Sequence, residues 1–208
     1  MTRVKICGIT NLEDALMSIE FGADELGFNF YEKSPRYIGQ DSARKIIDKL
    51  DGRATAVGVF VNKSVNDVIK IATESNISVI QLHGDESRTY VYDVRSKTHL
   101  KVMKVFRIAK EFSITEIEKY SADAILIDAC SPDLYGGSGE MADWNIAKTI
   151  AANHSKVYLA GGLSVENVVD AIKFVRPYAV DVASGVESSP GKKDPKKLEA
   201  FIKNAKNA

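Results

Sequence analysis

Polar side chains at the ends of several short apolar runs are the first sign of chemistry in this sequence. A thiol, Cys7, ends the run VKIC, and an imidazole, His83, follows the run VIQL. The carboxylates Asp128 and Asp181 lie in ILID and AVDV. A thiolate can remove a proton from carbon and a carboxyl group can deliver one, so this set is typical of acid–base catalysis. Each residue alone has a simpler interpretation, since a buried cysteine usually packs and such aspartates often anchor loops.

Two turns that contain small residues indicate a place for a phosphate group. LAGGLS holds Gly161 and Gly162 directly before a predicted helix, and DVASGVE holds Ser184 and Gly185 after an apolar run. Glycines let an anion approach the backbone closely, and free N–H groups near a helix start stabilise its charge. Two ordinary tight turns are the alternative interpretation.

Two further segments could contact a substrate. In KSPRY, Pro35 stiffens the loop that carries Arg36, whose planar guanidinium group matches a carboxylate or a phosphate. A solvated surface arginine is the alternative. The long connection ACSPDLYGGSGEMADW, residues 129–144, contains three glycines and is a candidate mobile lid. A flexible loop without a function explains it equally well.

The elements that must position these residues follow a regular pattern. Eight short runs rich in Val, Ile, Leu or Phe predict strands, and each is followed by a segment with helical spacing of its apolar residues. Thr10 and Glu13 have the spacing of a capping box for the first helix, and Ser164 is a candidate start for the seventh. The predicted strands are 4–9, 25–30, 55–61, 79–84, 101–107, 124–129, 156–162 and 179–184.

This eightfold β-α repeat predicts a single (β/α)8 barrel domain over residues 1–208, because no linker or change of composition divides the chain. An open, doubly wound sheet is the competing arrangement, but the sequence lacks a dinucleotide-binding glycine fingerprint. In such a barrel the catalytic residues lie at the carboxyl ends of the strands, and the loops after strands seven and eight often bind phosphate.

Strand alternation predicts which side chains point into the barrel. Val4 and Ile6 suit the face that meets the helices, so Lys5 and Cys7 point inward. The same rule turns five more polar residues toward the interior. They are Asn29, Gln81, His83, Asp128 and Asp181.

Composition excludes several other classes of function. The chain has 28 basic and 28 acidic residues, so neither nucleic acid nor an anionic membrane surface is an expected partner. No apolar stretch approaches the ~20 residues that span a bilayer. The N-terminus lacks the apolar core of a signal peptide, so we expect a cytoplasmic protein. Two cysteines are too few for a disulfide scaffold or a zinc cluster.

Taken as a set, the motifs match one family. KICGIT, SPR, QLHG, LIDA, GGSG, DW, AGGL and DVASGVE occur in this order, and with them the whole chain resembles the phosphoribosylanthranilate isomerases of tryptophan biosynthesis. Three positions depart from the family pattern. Ser138 stands in place of threonine, Ala142 in place of phenylalanine before DW, and Ala183 in place of serine.

The resemblance implies an Amadori rearrangement of N-(5-phosphoribosyl)anthranilate to 1-(2-carboxyphenylamino)-1-deoxyribulose 5-phosphate. It assigns the general base to Cys7 and the general acid to Asp128. A thiolate is a competent base only where its pKa falls from ~8.5, and the inward-pointing Lys5 could lower it.

The resemblance also implies how the substrate is held. Arg36 fits the anthranilate carboxylate, and Asp181 could orient the amine or a ribose hydroxyl; His83 is a further substrate-binding candidate. No metal or organic cofactor is implied. The expected partner is a small phosphosugar, and the chain is a monomer or a homodimer.

Three alternatives stay open at this point. The chain could be another phosphosugar barrel isomerase, such as the histidine-pathway enzyme, which would be expected to use paired aspartates. It could also be a barrel that binds a phosphosugar without converting it. A disulfide between Cys7 and Cys130 would remove the thiol from catalysis.

Overall fold

The computed structural model describes residues 1–108, 112–129 and 144–208. Eight parallel strands pair in chain order, and the barrel closes where β8 pairs with β1. This confirms the predicted (β/α)8 fold. The strands are β1 (Arg3–Cys7), β2 (Glu25–Asn29), β3 (Thr55–Phe60), β4 (Val79–Leu82), β5 (Lys101–Ile108), β6 (Ala124–Ala129), β7 (Val157–Leu159) and β8 (Ala179–Val182).

A helix follows each strand, as the repeat predicts. Ser64 and Ser87 cap α3 and α4, since each side chain accepts a hydrogen bond from a backbone N–H in the first turn. The helices are α1 (Leu12–Glu20), α2 (Gln40–Leu50), α3 (Val65–Glu74), α4 (Arg88–Ser96), α5 (Thr115–Glu118), α6 (Trp144–Asn153), α7 (Val168–Val175) and α8 (Pro195–Asn207).

Two layers of apolar side chains hold the barrel and its helices together. Val4 and Ile6 are fully buried in the outer layer, between the strands and the helices, as alternation predicts. A smaller cluster fills the inside of the barrel. It consists of Met103, Val105, Leu126, Tyr158, Ala160 and Ala179. These six residues lie on or directly after β5–β8.

Two predicted helix starts are wrong, and in each case an asparagine stands directly before the helix. Asn11 precedes α1 and accepts a 2.8 Å hydrogen bond from Asp14 N, while Thr10 donates to Gly191 O instead. The helix predicted to start at Ser164 begins only at Val168, after Asn167.

An antiparallel hairpin between β8 and α8 has no counterpart in the sequence prediction. It consists of β9 (Glu187–Ser189) and β10 (Lys192–Lys193), after a 3-10 helix at Ser184–Val186. Strands of three and two polar residues carry no hydrophobic alternation, which is why pattern reading does not find them. The hairpin matters for the site, because it brings Lys193 to the mouth of the barrel.

Two of the sequence interpretations fall on residues 130–143. The predicted lid and Cys130, the proposed partner of Cys7 in a disulfide, lie outside the described residues. Among the helices that the structure does describe, none has the length and apolarity needed to cross a membrane.

Candidate active site

The residues predicted from the sequence surround one cavity at the carboxyl ends of the barrel strands. Its empty volume is about 900 Å³, solvent at the open mouth included. Asn29, whose inward orientation alternation also predicts, contributes to the lining. The predicted site residues in the lining are Cys7, Arg36, His83, Asp128, Gly161, Gly162, Asp181 and Ser184.

Gly185 is the one predicted site residue that does not line the cavity. It lies against the loop that follows β7, where an added Cβ would be 2.0 Å from the carbonyl oxygen of Leu163. A side chain cannot fit there, so a glycine is required for the loops after β7 and β8 to pack together. Gly185 therefore supports, through packing, the two turns that the sequence predicts to bind phosphate.

The turn after β7 presents free backbone donors to the cavity. Gly161 and Gly162 adopt left-handed conformations, with φ of +84° and +68°, which glycine accommodates without strain. Their N–H groups donate to no acceptor within the described parts of the chain. This is the arrangement that an anion requires of a backbone turn.

Cys7 lies at the end of β1, partly exposed in the cavity, and is a free thiol. An added Cβ on the neighbouring Gly27 would be 2.8 Å from the Cys7 sulfur and 3.1 Å from Lys5 Nζ, so thiol and ammonium are close together. Burial raises the pKa of Cys7, and the nearby Lys5 and Lys193 lower it without cancelling that effect. The sequence predicts that Lys5 could lower the pKa of Cys7. Lys5 does act in that direction, but the pKa of the thiol is still raised overall.

Lys5 forms a buried ion pair with Asp181. The two residues lie opposite each other where β1 pairs with β8. The distance from Nζ to Oδ1 is 2.8 Å, and neither side chain exposes more than 7% of its surface. Burial disfavours the ammonium, but the carboxylate outweighs it and raises the pKa of Lys5. The raised pKa keeps the Lys5 ammonium protonated at neutral pH, and Asp181 itself lines the cavity.

Asp128 ends a line of three buried polar side chains. Gln81 Nε2 lies 3.0 Å from His83 Nδ1, and His83 Nε2 lies 3.1 Å from Asp128 Oδ2. In this orientation of the amide, Gln81 Nε2 donates to Nδ1, and the proton of a neutral ring then lies on Nε2, facing Asp128. His83 is thus in contact with the predicted general acid, a role that sequence reasoning did not assign to it.

Arg36 reaches the cavity over Gly8, where its Cδ would lie 2.6 Å from an added Cβ. Its Nε and Nη2 donate to the carboxylate of Glu187 at 2.7–3.1 Å. These hydrogen bonds raise the pKa of Arg36. Its Nη1 donates to no described residue, so this edge of the guanidinium group is available to a ligand.

Lys193 of the hairpin completes this network. Its Nζ donates to Cys7 O at 2.6 Å and to Glu187 Oε1 at 3.0 Å, with its side chain fully buried. Sequence reasoning missed both Glu187 and Lys193. The signal available was the charged content of GVESSPGKKD directly after the phosphate turn, but nothing in the sequence shows that these charges are buried.

Most of the charged groups around the cavity are paired. Lys5 is paired with Asp181, Arg36 and Lys193 share Glu187, and His83 contacts Asp128. Within the described lining, Lys33 is the one lysine or arginine without an ion-pair partner, and it is exposed. No three His, Cys, Asp or Glu residues in the described ranges are arranged to hold a metal ion.

Comparison with known proteins places this geometry in a family. A sequence model described as N-(5'phosphoribosyl)anthranilate (PRA) isomerase matches residues 4–204. The relative from Citrifermentans bemidjiense with the name N-(5'-phosphoribosyl)anthranilate isomerase is 49% identical over 206 residues, which cover 99% of this chain and 98% of that protein. A relative of the same name from Thermotoga neapolitana is 45% identical, with 99% of each chain covered.

Solved structures agree over the full length. The phosphoribosylanthranilate isomerase from Thermotoga maritima superimposes with a TM-score of 0.92 at 42% identity, with 100% of both chains covered. A phosphoribosylanthranilate isomerase in complex with reduced 1-(o-carboxyphenylamino)-1-deoxyribulose 5-phosphate gives a TM-score of 0.88 at 41% identity, again with both chains fully covered. The resemblance seen in the sequence motifs is thereby confirmed, and the chain belongs to the N-(5'-phosphoribosyl)anthranilate isomerase family.

Proposed function

We propose that this protein catalyses the Amadori rearrangement of N-(5'-phosphoribosyl)anthranilate to 1-(2-carboxyphenylamino)-1-deoxyribulose 5-phosphate in tryptophan biosynthesis, with Cys7 as general base and Asp128 as general acid. The observation that carries these roles is that both residues line one cavity, together with Arg36 and the glycine turn after β7. A solved family member binds the reduced product in the same fold, which supports the assignment of the substrate class.

The first step needs an acid. Protonated Asp128 donates its proton to the furanose ring oxygen, the C1–O bond breaks with its electron pair on that oxygen, and the nitrogen lone pair forms the C1=N bond of a Schiff base. Asp128 is 5% exposed and held by His83, so the carboxyl group is fixed in direction and shielded from bulk water. Such positioning is what general acid catalysis requires.

The second step needs a base. The Cys7 thiolate removes the proton from C2, which gives an enaminol that rearranges to the ketone at C2. Burial raises the pKa of the thiol, so the thiolate is the minor form at neutral pH. Lys5 and Lys193 act in the opposite direction and keep that form accessible.

Recognition of the substrate is divided between two ends of the cavity. Arg36, aimed by Glu187, presents its Nη1 edge to the anthranilate carboxylate. Gly161, Gly162 and Ser184 bind the phosphate through backbone N–H groups and the serine hydroxyl. Asp181, with one oxygen engaged by Lys5, orients the substrate amine or a ribose hydroxyl through the other.

We further propose that residues 1–208 form one domain that acts in the cytoplasm without a metal or organic cofactor, as a monomer or a homodimer. Every residue to which a role is assigned here lies in one chain, so the proposed mechanism does not need a second copy. A free thiol in a catalytic role is consistent with a reducing compartment. The Thermotoga maritima relative is described as dimeric, and light scattering after size-exclusion chromatography distinguishes the two states here.

The test of the proposed function follows the fluorescence of freshly made N-(5'-phosphoribosyl)anthranilate as it converts to the ketose. We expect turnover by the wild-type protein, and a loss of about 10²–10⁴-fold in kcat for Cys7→Ala and for Asp128→Asn, with KM nearly unchanged. Wild-type rates in either variant would refute the roles assigned here. Turnover of the histidine-pathway substrate alone, or product binding without any turnover, would support the two alternative functions.

A further inference from the structure

The buried side chain of Gln81 has an unusual hydrogen-bonding state. It is fully buried on β4, and its Nε2 contacts His83 Nδ1 at 3.0 Å. Its Oε1 has no hydrogen-bond partner among the residues that the structure describes, although it too is buried. A buried amide oxygen without a partner is costly, so its presence next to a catalytic pair calls for a functional reason.

The amide group of a glutamine can rotate by half a turn about its terminal bond and keep almost the same shape. With Nε2 toward the ring, Gln81 donates to Nδ1, and a neutral His83 keeps its one proton on Nε2. With Oε1 toward the ring, Gln81 accepts from Nδ1–H, and both ring nitrogens can carry a proton at once. Turning the amide gives Oε1 a partner and takes it from Nε2, so in both orientations one polar end of the buried amide lacks a partner among the described residues.

We propose that Gln81 is a positioning residue that controls, through the orientation of its amide, whether the His83–Asp128 pair holds the proton delivered to the substrate. This inference rests on the acid role of Asp128 in the proposed function. In the donor orientation the pair holds one proton, on Nε2, and carries one negative charge. In the acceptor orientation the pair takes a second proton from solvent at Nδ1 and becomes neutral.

The reaction then uses the proton of the loaded pair. The proton on His83 Nε2 passes to Asp128 Oδ2, 3.1 Å away, and from Asp128 to the furanose oxygen as the C1–O bond breaks. His83 is left neutral with its remaining proton on Nδ1, still accepted by Gln81 Oε1. Uptake of one proton from solvent at Nε2 reloads the pair for the next turnover.

Three ion pairs lie on the elements next to these side chains, and their charges are compensated locally. These pairs are Lys5 with Asp181 on β1 and β8, Lys104 with Glu86 at the end of β4, and Arg107 with Asp85 at the rim of β5.

Two substitutions of similar size separate this role from packing. Gln81→Glu only accepts, so it keeps the pair loaded, and the basic limb of the kcat–pH profile should move up by about one pH unit or more. Gln81→Met can neither accept nor donate a hydrogen bond, so the basic limb of the profile should move down. The kcat at pH 7.5 should fall at least about tenfold, with KM changed by less than about threefold. Gln40→Glu makes the same change of charge outside the cavity and should leave the profile unchanged.

Shifts of the two Gln81 variants in the same direction, or equal loss of activity with an unmoved limb, would overturn the proposal. A measurement on the wild-type protein tests the proposal even where a variant fails to fold. Ring nitrogen NMR should show His83 as the Nε2–H tautomer at high pH and doubly protonated at lower pH, with the signals of His99 and His154 assigned by substitution. A neutral Nδ1–H tautomer at high pH would overturn the switch. Absence of isomerase turnover in the wild-type protein would instead overturn the proposed function.

Discussion

Replacement of Lys5 by methionine tests the pair that connects the barrel interior to the proposed base. The methionine keeps most of the volume of the side chain but removes the ammonium group that lies 2.8 Å from Asp181 Oδ1. The carboxylate of Asp181 is then buried without its partner, because its side chain is only 7% exposed. Breaking a buried pair in this way costs about 3–5 kcal/mol in the free energy of unfolding.

For a chain of 208 residues, 1 kcal/mol corresponds to roughly 2–4 °C in Tm, so Lys5→Met should lower Tm by roughly 6–20 °C. The double variant Lys5→Met/Asp181→Asn removes both charges and should recover at least about half of that loss, as for other buried pairs replaced together. The raised pKa of Lys5 means that its contribution is complete below the unfolded value of ~10.4 and is lost only as the pH rises through the folded value. Thermal unfolding at pH 7–8 therefore measures the full effect.

The same variant has a second readout at the thiol. The Lys5 ammonium lowers the pKa of Cys7, so its removal should raise that pKa further. Each unit of increase slows thiolate-dependent alkylation about tenfold at fixed pH. Iodoacetamide labelling at a temperature well below Tm gives this rate. Mass spectrometry then quantifies the Cys7 peptide separately from the Cys130 peptide. An unchanged Tm together with an unchanged labelling rate would refute the reasoning for both roles of Lys5.

The other predictions concern the rim of the cavity. Gly185→Ala places a Cβ against the Leu163 carbonyl and should cost about 1–3 kcal/mol in denaturant unfolding and raise KM. Gly39→Ala is the control, because its Cβ would meet only the Tyr37 hydroxyl at 4.0 Å, and it should cost about 0.5 kcal/mol or less. Burial opposes the Glu187 charge, but the hydrogen bonds from Arg36 lower the pKa of Glu187. The contribution of the ionised Glu187 to stability is therefore lost as the pH falls below ~4.3. The Tm difference between wild type and Glu187→Gln should narrow from pH 7 to pH 3. Lys33→Gln should lower kcat/KM at low salt but not at about 1 M salt, with kcat unchanged, if this exposed lysine attracts the anionic substrate.

Strand alternation explains why so much of the candidate site could be predicted from the sequence. In a closed parallel barrel one face of each strand packs on the helices, so the apolar residues of β1, β4, β6 and β8 determine where their polar neighbours point. Cys7, His83, Asp128 and Asp181 each lie in or directly after such a strand, and all four line the cavity. The rule needs only local residue types, which the sequence supplies.

The contacts between these residues depend on a different kind of information. The approach of Lys5 to Asp181 follows from the register of β1 on β8, which joins positions 176 residues apart in the chain. The alternation of each strand is the same for any register, so it places both groups inside the barrel without pairing them. The contact between the Cys7 thiol and the Lys5 ammonium shows the same limit. Burial decides whether the pKa of Cys7 rises or falls overall, and the spacing of Lys5 and Cys7 in the sequence does not report burial.

The hairpin of β9 and β10 shows how an element without a sequence signal can determine the chemistry of the site. Arg36 owes its direction to Glu187, and Glu187 is held in turn by Lys193, which also donates to the backbone oxygen of Cys7. One buried cation thus links the ends of β1 and β8 to the loop that follows β2. Because Lys193 is fully buried, its charge is stable only while Glu187 is ionised, and Glu187 is in turn compensated by Arg36. A change at any of the three should therefore disturb the Arg36 and Cys7 ends of the cavity together.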